Sequence, residues 1–161
     1  DWAGQWALDA DQFVEVGEGD TLEIGAFTVH VEPARDPDAT HPVSYVIDHE
    51  SGTFFHGGDA RSSEAFETIG DEYDIDLAAL AFGSSGYLPD PDGGVMYKQW
   101  YADENEIAEA AAQVAPDRLL PTHWDIWKNL TADPTALRPH IRSFDRPRTL
   151  ELAEIGDRVE L

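Results

Sequence analysis

The run Asp76–Phe82, DLAALAF, constrains the fold of this chain more than any other segment. It is continuously apolar and only strand-length, so it suits a strand covered on both faces, as in a parallel sheet. A second buried strand, RLLPTH at 118–123, follows ADENEIAEAAAQVA at 102–115, which is a strong helix with acids first and a solvated face from Glu104 to Glu109. Upstream, residues 20–34 alternate apolar and polar around Leu22, Ile24, Phe27, Val29 and Val31, with Gly25 between two short strands. VSYVID and GTFFHGG repeat the pattern within 43–58, joined at Glu50-Ser51-Gly52. Strands first, then alternating helix and strand, predict an α/β sandwich.

The remaining segments are read by the same signals. ARDPDATHP is a Pro- and Asp-rich loop ending at His41, and SSEAFETIGDEY is a short helix with serines suited to capping. GSSGYLPDPDGG reads as a loop. DIWKNL and DPTALRPHIRSF read as helical, and TLELAEIGDRVEL as a strand pair around Gly156-Asp157.

With 161 residues and 42% hydrophobic content the chain is one domain with a real core. Its 33 Asp and Glu against 10 Lys and Arg give a net charge of −23, spread along the whole chain. Nucleic acid and anionic membrane are therefore poor partners. Lys98 and Lys128 are the only lysines, a pattern expected of a salt-adapted surface that stays hydrated when molar salt shortens the Debye length to about 3 Å. Cysteine is absent, so any metal must sit on His, Asp or Glu. No apolar run approaches the roughly 20 residues of a membrane span, and the expected location is cytoplasmic.

Two strand ends carry the chemistry. FFHGGDA, residues 54–60, removes two side chains at Gly57 and Gly58 and presents Asp59, whose carboxylate has two oxygens and can bridge two cations. LLPTHWDIW, residues 119–127, ends a buried strand in His123, a rigid mount for an imidazole ligand. Each alone is an ordinary strand-end residue; together they leave a metal site and a purely structural role equally open.

VSYVIDHESGTFFHGGDAR, LAFGSSG and PTHWDIWKNLTADP resemble segments of the metallo-β-lactamase superfamily, and more narrowly of its L-ascorbate-6-phosphate lactonase-like branch. The resemblance spans roughly residues 13–145. It implies the αβ/βα sandwich, with residues 1–161 as the C-terminal part of one such domain and roughly its second half. It also implies Asp59 as the bridging, catalytic carboxylate and His123 as the last metal-binding histidine. The third ligand falls in the loop between the hairpins, where Asp36 and His41 are both candidates. The superfamily's His-x-His-x-Asp-His motif does not occur in these residues and is expected upstream, so the piece alone is expected to be inactive.

The resemblance implies a hydrolase that acts on a lactone or similar small ester through a metal-bound hydroxide, with zinc or manganese, two ions in the full-length protein. A phosphodiesterase or nuclease of the same fold, and a non-catalytic domain, are the alternatives. Asp125 and His56 are candidates for contacts behind the ligands, and Ser84, Ser85 and Tyr87 for substrate contacts. Trp124 and Trp127, at i and i+3, suit core packing behind His123. His30, His49 and His140 read as surface or strand residues. The expected partner is a small-molecule substrate, with homo-oligomerisation left open.

Overall fold

The computed structural model describes residues 9, 13–128 and 130–161. A seven-stranded sheet runs in the order β1 (Thr21–Ile24), β2 (Phe27–Pro33), β3 (Val43–His49), β4 (Gly52–His56), β5 (Leu77–Ala81), β8 (Arg118–Thr122), β9 (Thr149–Leu150). The first four strands pair antiparallel, and β4, β5, β8 and β9 pair parallel. Three helices make the crossovers: α1 (Glu64–Glu72), α2 (Glu104–Val114) and α3 (Leu137–Ile141). This mixed arrangement of strands first, then alternating helix and strand, is the α/β layout expected from the sequence.

Both antiparallel hairpins turn where expected. Ile24 pairs with Phe27 across Gly25-Ala26, with Gly25 at φ 65°, and His49 pairs with Gly52 across Glu50-Ser51. All five residues of β5 are buried, as its apolar run requires. The core joins sheet and helices through Val46, Phe55, Phe66, Ile69, Leu80, Phe82, Ile107 and Leu119.

α2 is locally over-determined. The Asp103 carboxylate accepts from the N–H groups of Asn105 and Glu106, and the Glu106 side chain accepts from the Asp103 N–H, a reciprocal capping box. Its apolar stripe of Ile107, Ala108, Ala110, Ala111 and Val114 is buried. α1 packs on it through Gly70, where an added Cβ would lie 2.1 Å from the Gln113 carbonyl oxygen. No helix of the described residues is long and apolar enough to cross a membrane.

Four local readings are corrected. The segment taken for a loop after β5 contains a strand, β6 (Ser85–Pro89), which pairs with β7 (Val95–Gln99) in a separate two-stranded sheet. The cross-strand pairs Tyr87–Tyr97 and Leu88–Met96 stabilise it, and only Asp90–Gly94 forms the turn. DIWKNL is turn rather than helix over its described residues 125–128 and 130. The chain end has one short strand, β9, and no strand pair, because Glu154–Asp157 closes a turn on itself and Ile155 projects 99% exposed. Ser63 occupies the N-cap of α1 without a side-chain cap bond, and the Ser62 hydroxyl donates to Gln113 Oε1 at 2.7 Å instead.

Candidate metal centre

β4, β5 and β8 run parallel in register, so their C-terminal ends share one rim. Gly57 donates to the Ala79 carbonyl at 3.0 Å and sits close under Leu80, whose Cδ2 would have to shift from a Cβ built there at 2.9 Å. Gly58 then turns at φ 58° and delivers Asp59. At the end of β8, His123 takes φ 67°, a left-handed conformation costly for a residue with a Cβ. The result is a contact of 3.0 Å between Asp59 Oδ1 and His123 Nε2.

The Thr122 hydroxyl lies 3.1 Å from the Leu80 carbonyl, to which it can donate, and 2.9 Å from His123 Nδ1, where the tautomer of the ring sets which atom donates. Asp59 Oδ1 accepts from Nε2 when that nitrogen carries its proton, and both atoms are of the donor type a divalent cation takes.

Surrounding residues brace this pair. The buried Ser84, itself at φ 53°, donates its hydroxyl to the His123 carbonyl at 2.8 Å. The Tyr101 ring, 6% exposed, lies 4.7 Å from the His123 ring between centroids. Burial first, and then the negative charge of Asp59, push the Tyr101 phenol above its ordinary value; Trp127 opposes the shift by hydrogen bonding, and Asp36 adds to it. Arg61 ties the Asp59 loop to the end of β7, donating to the carbonyls of Gln99 at 3.0 Å and Trp100 at 3.3 Å.

His56 accepts the Gly58 N–H on Nδ1 at 3.1 Å. Although the residue as a whole is exposed, packing around its ring, reinforced by the charge of His123, lowers its pKa below the ordinary histidine value.

Asp36 closes an Asx turn on the Asp38 N–H at 2.9 Å, near enough to act on Tyr101, and His41 is exposed. Asp125 is exposed, and Thr122 rather than Asp125 meets Nδ1 of His123. Ser85 and Tyr87 stand on β6, with Tyr87 74% exposed. Trp124 packs on the core, whereas Trp127 is half exposed with its ring 6.5 Å from that of Trp100.

Tyr101 and Arg61 went unread because nothing in their spacing marks them: a bridge between Phe82 and Ala102 places Tyr101 here. Among the described residues no three His, Asp or Glu side chains are grouped to hold a metal ion. Asp59 and His123 thus fit a metal in donor chemistry but supply too few donors to enclose one.

A family model described as a β-lactamase superfamily domain matches residues 5–124. Proteins named probable L-ascorbate-6-phosphate lactonase from Escherichia fergusonii and Escherichia coli are 29% identical over 85% of the chain. The chain spans only 41% of the length of these relatives. Among solved structures, a metallo hydrolase from the archaeon Ignicoccus hospitalis superposes with a TM-score of 0.72 at 17% identity, over 92% of this chain and 60% of that one. The metallo-β-lactamase fold protein YhfI of Bacillus subtilis gives 0.61 at 17% identity, over 88% and 52%. A diiron β-hydroxylase from Streptomyces venezuelae gives 0.62 at 14% identity, over 86% and 33%.

Proposed function

The chain belongs to the metallo-β-lactamase superfamily, and from that premise we propose that it forms part of a metal-dependent hydrolase acting on a lactone or similar small ester. The reading rests on one observation: Asp59 Oδ1 and His123 Nε2 face each other at 3.0 Å, with Nδ1 of the ring in contact with the Thr122 hydroxyl. Asp59 and His123 would hold one side of a divalent metal centre, and residues outside this stretch would supply the remaining donors. The metal would acidify water and polarise the ester carbonyl. The protein's own part is orientation. Thr122 engages Nδ1 and orients the ring, Ser84 holds the His123 backbone, and the Tyr101 ring packs against the imidazole.

The lactone preference draws on the relatives named for that activity. The test is metal analysis of the full-length protein and of its Asp59→Ala variant, with hydrolysis of a small lactone and of a bis-aryl phosphodiester followed in parallel. Metal content and lactone turnover should fall together in the variant. Metal retained at the wild-type level would remove Asp59 from the centre, and turnover of the phosphodiester alone would move the substrate class.

A further inference from the structure

We propose that the groove between α3 and β9 is a second binding site, for a phosphate monoester carrying a flat apolar group. The first observation is charge. Arg138, Arg142, Arg146 and Arg148 fall in one short stretch of a chain with only 10 Lys and Arg against 33 Asp and Glu. The second is pairing. Asp117 holds both Arg146 and Arg148, the latter at 3.0 Å, whereas Arg138 and Arg142 make no ion pair or hydrogen bond among the described residues. Two unpaired guanidinium groups on so acidic a surface are unexpected, because acids to pair with are plentiful.

The third observation is shape. Arg138, Arg142 and Arg148 line a cavity of ≈ 530 Å³ with Ile141 and Phe144 among its apolar walls and Asp145 as its one carboxylate. That volume lies within the range of small-molecule pockets, roughly 300–1,000 Å³. Guanidinium forks match the oxygens of a phosphate, and Phe144, 43% exposed in the lining, offers aromatic surface to a planar group. At physiological or higher salt the diffuse surface charge is screened beyond about 8 Å, so these adjacent cations dominate what an anion meets.

The groove is separate from Asp59 and His123. β9 pairs with Arg118 and Leu119, which open β8, while His123 follows the last residue of that strand. The two places therefore lie at opposite ends of β8, roughly 15 Å apart along it.

Phenyl phosphate titrated calorimetrically into the protein at physiological ionic strength should bind saturably at one site. Arg138→Gln combined with Arg142→Gln should weaken it at least tenfold, and Arg142→Lys, which keeps charge but loses the fork, should fall between. Phe144→Ala should weaken phenyl phosphate and leave inorganic phosphate unchanged. Asp59→Asn should leave binding intact. Because both arginines are exposed, circular dichroism should report an unchanged fold in the double variant. No saturation at millimolar ligand, wild-type affinity in the double variant, or loss of binding in Asp59→Asn would each overturn the proposal.

Discussion

The Ser84 hydroxyl donates to the His123 carbonyl at 2.8 Å, and both residues hold left-handed backbone, at φ 53° and 67°. Two strained positions at the ends of adjacent parallel strands are thus tied to each other. The tie holds the imidazole toward Asp59.

Removing it should be measurable. Ser84→Ala leaves the His123 carbonyl without this donor in a buried setting, and should cost about 1–3 kcal/mol in denaturant unfolding. His123→Gly and His123→Ala lose the same ring contacts, but only glycine relaxes the left-handed backbone. The glycine variant should therefore be more stable than the alanine variant by about 1 kcal/mol. Equal stabilities would mean that His123 is not strained in solution.

Metal binding should follow donor count. Residues 1–161 alone should bind zinc or manganese weakly and hydrolyse neither lactone nor phosphodiester above background, since Asp59 and His123 are too few. In the full-length protein Asp59→Asn should lower turnover by more than the roughly 10–100-fold typical of residues behind the ligands, with unchanged melting of the metal-free form. Full activity of the isolated chain would refute this.

Alkaline stability should depend on Tyr73. Its hydroxyl donates to Glu32 Oε1 at 2.7 Å; burial first, then the bond to Glu32 and that residue's charge, raise the phenol above its ordinary value. A raised folded-state value means the contribution is complete below the unfolded value of about 10 and is lost as pH climbs above it toward the folded value. Urea midpoints of the wild type should drop from pH 10 upward more steeply than those of Tyr73→Phe, which at pH 7 should be less stable by about 1 kcal/mol.

Salt should stabilise the fold. A net charge of −23 makes the compact state repel itself, and added ions screen this. The melting temperature should climb steadily from dilute buffer to molar potassium chloride. A flat curve would mean that the acids are spaced widely enough not to matter.

What the sequence determined by itself was local in origin. Apolar runs the length of a strand marked β5 and β8, alternation marked the two hairpins, and an acid-first, alanine-rich run marked α2, because each depends on residues within a few positions of one another. Asp59 and His123 were legible for the same reason, as donors immediately following strands. Where local signals competed, reading failed: Pro and Gly after β5 suggested a loop, although the Tyr87–Tyr97 and Leu88–Met96 pairs make a hairpin there. Only the tertiary structure decided that Phe55, Ala78 and Leu119 lie in register, and so that the ends of β4 and β8 reach one rim. It alone brought Tyr101 onto His123, left Arg138 and Arg142 unpaired, and turned Ser84 toward a carbonyl. Each of these depends on pairing between residues far apart in the chain, whose free energy comes from burial and hydrogen bonds that exist only once the sheet has closed.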